Sequence, residues 1–337
     1  MDRALSTPPY LRADFWGLIL ALAFAGAWFW SPTLTLFPIF LGFCLTLRPL
    51  TQAWTWSRGL PLRTSVFWGF AALTFAMMGH MTQLQSMSEP LTNGRPVAGY
   101  FTYLWSLATI AALISTLGAR SPGWGAWSIL MGLLVLVLLI PWIEDLGLHG
   151  RSNPLSRLRL DAPWSIFYGL LVLAGVTNYL FTRYAGASIL IGAGLMVEYV
   201  ALLNPSWPPS RRAVLWSLAP FLWAWGILRA DWESRSKSES STGLAALWLW
   251  FRDHWGVVWA LRVRERFNRA AEVAGWPVRL AWSGVTDPQG GSPGPIPPEA
   301  VRTLEVLLRR FAPADRLAEA RGASAASPCP DPDAARE

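Results

Sequence analysis

Eight apolar stretches of 14–22 residues follow one another through the first 230 residues, separated by short polar segments. A helix of about 20 apolar residues crosses the hydrocarbon layer of a membrane. The pattern therefore predicts an all-α fold, a polytopic bundle of transmembrane helices over residues 1–230. The predicted spans are Phe15–Trp30, Leu34–Leu47, Ser65–Thr82, Val97–Gly118, Ala126–Ile143, Trp164–Thr182, Ala187–Leu203 and Val214–Leu228.

The composition excludes other classes of protein. Charged residues make up 15% of the chain and hydrophobic residues 53%, whereas about 25% charged residues is usual in soluble domains. A chain with so little charge cannot cover a water-soluble surface over its whole length. A soluble enzyme and a disordered chain are therefore both excluded as descriptions of the entire protein.

The first two predicted spans are short and are separated by Ser31 and Pro32, which favours a tight helical hairpin over one long span. The small residues around Ala25 and Gly26 resemble the cleavage site of a secretory signal peptide. Asp14 before the apolar run, and the apolar residues that continue beyond Gly26, argue against cleavage. We expect this segment to be retained.

Arginine and lysine are unevenly distributed among the predicted loops. Ten lie in segments on one side of the membrane and six in segments on the other. Because cytoplasmic loops are enriched in these residues, the bias predicts that both termini are cytoplasmic. We expect the protein in the inner (plasma) membrane of the cell, with the lipid bilayer as its first partner and the loop Arg151–Asp161 outside.

The sequence lacks the common motifs of catalytic, metal-binding and nucleotide-binding sites, such as C-x-x-C, H-E-x-x-H and the P-loop. Two cysteines and three histidines are too scattered for a recognisable set of metal ligands, and we assign no ligand role to His149 or His254. The first 230 residues also lack a basic stripe with interleaved aromatic residues, which argues against a nucleic-acid partner. We expect no cofactor, no metal and no catalytic set.

Two polar residues inside predicted spans are candidates for function, because ionisable groups at membrane depth are costly to bury. Glu198 is the only carboxylate well inside a predicted span, and His80 lies in the outer half of the third span. The two residues have similar predicted depths, so they could approach one another and handle a proton or a polar substrate. In the alternative interpretation, Glu198 is protonated and hydrogen-bonds to a neighbouring helix as a packing contact.

A second candidate pair, Glu144 and Asp145, follows the fifth predicted span. Two carboxylates at an outer vestibule could bind a cation or act as acid and base. However, consecutive helical residues point about 100° apart, so both can face one ligand only where the chain has left the helix. Neutralisation by nearby arginines is the simpler interpretation.

Beyond Leu228 the chain changes character. Residues 231–243 form a charged, serine-rich linker, and residues 244–311 are predicted to hold a Trp-rich amphipathic helix, Leu244–Val273, and a shorter helix that begins at Pro298. Residues 312–337 are predicted to be a disordered tail.

The Trp-rich helix combines an apolar stripe with a basic face. Its docking candidates are Trp248, Trp255, Trp259, Arg262, Arg266 and Arg269. Such a helix can lie on a membrane surface, where its arginines meet anionic lipid headgroups, or it can bind a protein partner. In the competing interpretation, the stripe packs on Val301, Leu304, Leu308 and Phe311 and closes a small soluble cap.

Three functional hypotheses follow from these features. The first is a non-catalytic membrane subunit or scaffold that docks through its C-terminal helix. The second is a transporter of small solutes or lipids that uses His80 and Glu198. The third is a membrane-bound enzyme that uses Glu144 and Asp145, with His149, at the outer face.

Overall fold

The computed structural model describes residues 36–88, 97–118, 126–149, 160–204, 207, 209–235 and 243–322. These residues form two compact units: a helical bundle that ends at Arg235, and a C-terminal unit over residues 243–322. The first predicted span, Phe15–Trp30, lies outside the described residues.

The described part of the bundle contains seven α-helices, and each overlaps one of the remaining predicted spans. The helices are α1 (Leu36–Trp56), α2 (Arg63–Ser88), α3 (Val97–Ser115), α4 (Ala126–His149), α5 (Ala162–Thr177), α6 (Ala185–Leu203) and α7 (Pro209–Arg235). One 3-10 turn, Thr116–Gly118, extends α3.

Among the described residues of the bundle, three segments are long and apolar enough to cross a membrane: Gly99–Gly118, Trp127–Glu144 and Ala185–Leu203. Helix α4 has the most exposed apolar surface of the three, since only 17% of its apolar window is buried. Ile129 and Leu133 are among the large side chains that it exposes. Water would solvate such a surface poorly, whereas lipid chains would cover it.

The bundle core surrounds α3, on which Tyr103, Trp105 and Ile110 are almost completely buried. Helices α6 and α7 approach closely because small residues lie between them. A Cβ atom at Gly194 would lie 2.7 Å from the carbonyl oxygen of Ala219. Small residues at this position let two backbones pack together where the hydrophobic effect cannot drive association.

Five helices of the bundle are longer than the predicted spans, namely α1, α2, α4, α6 and α7. Helix α7 continues to Arg235, so the first five residues of the predicted linker are helical. Two ion pairs at i, i+4 spacing, Arg229 with Glu233 and Arg235 with Asp231, support this extension. Helix α4 continues to His149, so Glu144 and Asp145 lie within a helix.

The C-terminal unit consists of α8 (Leu244–Val273), a two-stranded antiparallel hairpin of β1 (Arg279–Ala281) and β2 (Gly284–Thr286), α9 (Pro298–Leu308) and α10 (Ala314–Ala320). Helix α9 begins at Pro298 and has Glu299 in its first turn, as the sequence indicates. Helix α10 lies in the segment predicted to be a disordered tail, so that prediction is wrong for residues 314–320.

Helix α8 is kinked at Gly256, whose φ of 76° and ψ of −175° interrupt the helical backbone. This conformation is essentially restricted to glycine. The kink divides α8 into residues 244–255 and 257–273, whereas the apolar stripe predicted one continuous helix.

Candidate functional site

An arginine-lined groove on the C-terminal unit is the strongest candidate site. Arg262, Arg266 and Arg269 are exposed on one face of α8, and Arg310 joins them from the turn after α9. The cavity measures about 790 Å³, which is within the range of small-molecule sites. We call it the arginine groove.

Apolar side chains line the base of the arginine groove. They are Trp259, Val263, Ala270, Leu307 and Phe311. The ring centroids of Trp259 and Phe311 are 5.2 Å apart, and both side chains are almost completely buried. The base is therefore part of the core of the unit, so its shape is fixed by packing.

The charge of the arginine groove is largely uncompensated. Glu265 is its only carboxylate, and this group pairs with Arg269 at 2.9 Å in a pair that is mostly exposed. Within residues 243–322, no ion pair to Arg262, Arg266 or Arg310 is formed. Three guanidinium groups are thus available to an anionic ligand.

The predicted docking tryptophans are in the core of the unit. Trp248 and Trp255 are fully buried, and Trp259 is 8% exposed. The ring of Trp255 lies 6.0 Å from that of Phe311, and Leu304 and Leu308 of α9 are also fully buried. The stripe therefore packs as the competing cap interpretation describes, and these indole rings are not available to a membrane.

Hydrogen bonds to the hairpin hold α8 in place. Trp248 Nε1 donates to the carbonyl oxygen of Ala281 at 2.8 Å. Asn268 exchanges two hydrogen bonds with the backbone of Leu280, at 2.7 and 3.1 Å. Arg252 pairs with the buried Asp253 at 2.7 Å and also donates to the carbonyl oxygen of Trp282. These contacts fix α8 on both sides of the kink, and with it the arginines of the groove.

Glu198 lies inside the helical bundle and is completely buried. On α5, the hydroxyl group of Tyr168 donates to the carbonyl oxygen of Leu195, about one turn before Glu198 on α6, at 3.5 Å. Neither carboxylate oxygen has a hydrogen-bond partner among the described residues. The packing contact that the alternative interpretation requires is therefore not formed within the described part of the chain.

His80 is also buried, but its surroundings differ from those of Glu198. It lines a small cavity with Thr102, Trp105 and Trp216, and its ring packs edge-on against Phe43 at 5.8 Å. Among the described residues, none of these neighbours of His80 is also a neighbour of Glu198. The approach of His80 to Glu198 stays a prediction.

The outer-face candidates are consecutive residues of α4, so they have the unfavourable geometry expected for a helix. Glu144 is exposed, and the side chains of Asp145 and His149 lie outside the described set. Among the described residues, no group of three or more His, Cys, Asp or Glu side chains is arranged to hold a metal ion.

Some site residues were missed by the sequence analysis. Arg310 belongs to the groove only because the turn after α9 packs beside α8, and Tyr168 reaches the helix of Glu198 only through helix packing. A tyrosine inside an apolar span indicates a polar contact, but the sequence around Tyr168 does not identify the group that it contacts.

Comparison with known proteins adds no assignment: no protein-family model, curated protein or solved structure matches this chain.

Proposed function

We propose that this protein is a non-catalytic membrane subunit whose C-terminal unit docks on anionic lipid headgroups at the cytoplasmic face. The observation that carries the proposal is the arginine groove, in which Arg262, Arg266 and Arg310 have no acidic partner among the described residues. The helical bundle would serve as the anchor in the inner (plasma) membrane of the cell. It would have eight spans, with both termini in the cytoplasm.

The chemistry of the arginine groove suits phosphate. Each guanidinium group is planar and offers paired N–H donors that match the oxygens of a phosphate group. Close to an anionic membrane surface, each basic residue contributes about 1 kcal/mol. Three such residues around one groove give enough attraction for a headgroup to be held at this position.

Exposed apolar side chains on α8 also favour lipid. Val258, Leu261 and Val273 are exposed on the same helix as the arginines of the groove. Apolar groups beside basic groups are typical of surfaces that enter the boundary between headgroups and acyl chains. An acidic protein segment would also pair with these arginines, but its binding would not require exposed apolar side chains beside them.

The covalent connection to the bundle favours lipid as well. Seven residues, 236–242, separate the end of α7 from Gly243. A short tether turns membrane docking into an intramolecular event with a high effective concentration. Weak headgroup contacts are therefore sufficient.

The proposal is tested by purifying the full-length protein in mild detergent and identifying the bound lipids and proteins by mass spectrometry. The variant Arg262→Gln/Arg266→Gln/Arg310→Gln should retain less anionic phospholipid than the unmodified protein. A matched control, Arg279→Gln/Arg302→Gln/Arg309→Gln, removes the same charge from exposed arginines of the same unit outside the groove. The control should retain lipid as the unmodified protein does.

Two results would contradict the proposal. Equal lipid retention by the groove variant and its control would mean that the groove is not a lipid site. Loss of an acidic protein from the groove variant, with lipid unchanged, would identify a protein partner instead.

A further inference from the structure

A buried polar site inside the helical bundle is centred on Glu198. This residue is completely buried, and both of its carboxylate oxygens lack a hydrogen-bond partner among the described residues. It lies five residues before the end of α6 at Leu203, which corresponds to about 8 Å along the helix. The site is thus inside the bundle but near one end.

The polar groups around Glu198 are hydroxyl groups. Tyr168 of α5 donates to the carbonyl oxygen of Leu195 on α6 at 3.5 Å, and Ser106 of α3 donates to the carbonyl oxygen of Tyr103 at 2.8 Å. The Tyr168 ring stacks on that of Tyr199 at 5.5 Å, and Tyr103 donates a hydrogen bond to the carbonyl oxygen of Leu138 at 2.7 Å. All of these groups are neutral when protonated, and none is a counter-ion.

Within the described part of the bundle, no ion pair to Glu198 is formed. Helix α5 carries Tyr168 as its only titratable residue, and α3 carries only tyrosines. Residues 214–228 of α7 contain no ionisable side chain, and Arg229 lies towards the other end of α6, where it contacts Gly186. The side chains of Arg211 and Arg212, at the start of α7, lie outside the described set. Helix α6 itself adds only Tyr199.

An ionised Glu198 would therefore be an isolated charge in an apolar interior, which is among the most costly arrangements in a protein. The neutral acid avoids this cost, because a protonated carboxyl group carries no net charge and can donate its own O–H to an acceptor. We propose that Glu198 forms an intramembrane proton-binding site beside Tyr168, in which the carboxyl group carries its proton at neutral pH. This site is independent of the docking function.

Infrared spectroscopy of the full-length protein in lipid vesicles tests the proposal. A protonated carboxyl group has a C=O stretching band above the amide region that shifts in D2O. The band should be present at neutral pH, should disappear at strongly alkaline pH, and should be missing in Glu198→Gln. Its absence from the unmodified protein at neutral pH would overturn the proposal.

A chemical measurement on the unmodified protein covers the case in which Glu198→Gln does not fold. An apolar carbodiimide adds a protonated carboxyl group across its C=N bond, and the adduct rearranges to a stable N-acylurea without losing any atom. Peptide mass spectrometry should find this adduct on Glu198, with a yield that falls as pH rises. Glu233 is an internal control, since it is nearly buried but paired with Arg229 at 2.9 Å, and it should remain unmodified.

Two outcomes of the chemical measurement would overturn the proposal. The first is equal modification of Glu198 and Glu233. The second is protection of Glu198 by sodium at constant pH, which would show that the site binds a metal cation in place of a proton.

Discussion

The guanidinium carbon of Arg262 lies 5.0 Å from the ring centroid of Trp259, so that the cation faces the aromatic base of the arginine groove. This contact connects the two halves of the sequence pattern on α8, the basic face and the apolar stripe. It also holds Arg262 in place without a carboxylate, which leaves its N–H donors available to an anion. Trp259 therefore packs in the core of the unit and also lines the arginine groove.

The contact predicts a modest effect of replacing the ring. Trp259→Leu removes a cation–π interaction of about 0.5–1 kcal/mol and should weaken binding to anionic vesicles about two- to fivefold. Trp259→Phe keeps an aromatic base and should change binding less. Vesicle titrations measure both variants, and hydrogen exchange over residues 244–273 checks that each is folded. Equal binding by Trp259→Leu and the unmodified protein would show that the ring does not position Arg262.

The kink in α8 gives a prediction about stability. Gly256→Ala forces a side chain into a backbone conformation that is essentially restricted to glycine, at a cost of about 1–3 kcal/mol. Hydrogen exchange of the full-length protein should show faster exchange throughout the C-terminal unit. Gly294→Ala is the matched control, because Gly294 has open space around it and no positive φ. A Gly256→Ala variant as protected as the control would mean that the kink is not required.

Some helix ends could be predicted from the sequence because apolar length and proline position act locally. Helix α9 begins at Pro298, where proline and Glu299 suit a first turn, and α6 ends at Leu203, where the apolar run ends. The apolar stripe of α8 also identified correctly which residues share a face. Local pattern is sufficient for these features.

Features that depend on tertiary contacts could not be predicted in the same way. A single glycine is tolerated in a helical pattern, so nothing marked Gly256 as a kink. The strands of the hairpin have three residues each, which is too short for an alternating pattern. The backbone N–H of Leu280 in the first strand also donates to the side chain of Asn268 on α8, a contact that only the tertiary structure provides. The stripe alone could not decide whether Trp248 faces a membrane or a protein core, because both environments would bury its indole ring.

Close packing of α6 and α7 predicts that Gly194→Ala destabilises the bundle. The added Cβ atom would lie 2.7 Å from the carbonyl oxygen of Ala219, so the helices must move apart. We expect a loss of about 1–3 kcal/mol, measured as a lower temperature of unfolding in detergent. Gly132→Ala on α4 meets no atom within 4 Å and should have no such effect. Equal stability of the two variants would contradict the close helix contact.

The topology is tested by labelling single cysteines in intact cells, with Cys44 and Cys329 replaced. The bias of arginine and lysine predicts that Ser156→Cys reacts with a thiol reagent that cannot cross the membrane and that Ser236→Cys does not. Reaction at Ser236→Cys, with none at Ser156→Cys, would reverse the orientation and place the C-terminal unit outside.

Docking of the C-terminal unit on anionic lipid is tested most directly by a fluorophore at Leu261→Cys, an exposed position on α8 beside Arg262. The full-length protein, without Cys44 and Cys329, is placed in vesicles of zwitterionic lipid alone or with anionic lipid added. We predict that anionic lipid shifts the emission to the blue and that salt reverses the shift, since screening weakens the attraction of arginine to phosphate. A label at Ser283→Cys, an exposed position in the turn of the hairpin, should respond less. An emission at Leu261→Cys that is the same in both kinds of vesicle would contradict the proposed docking.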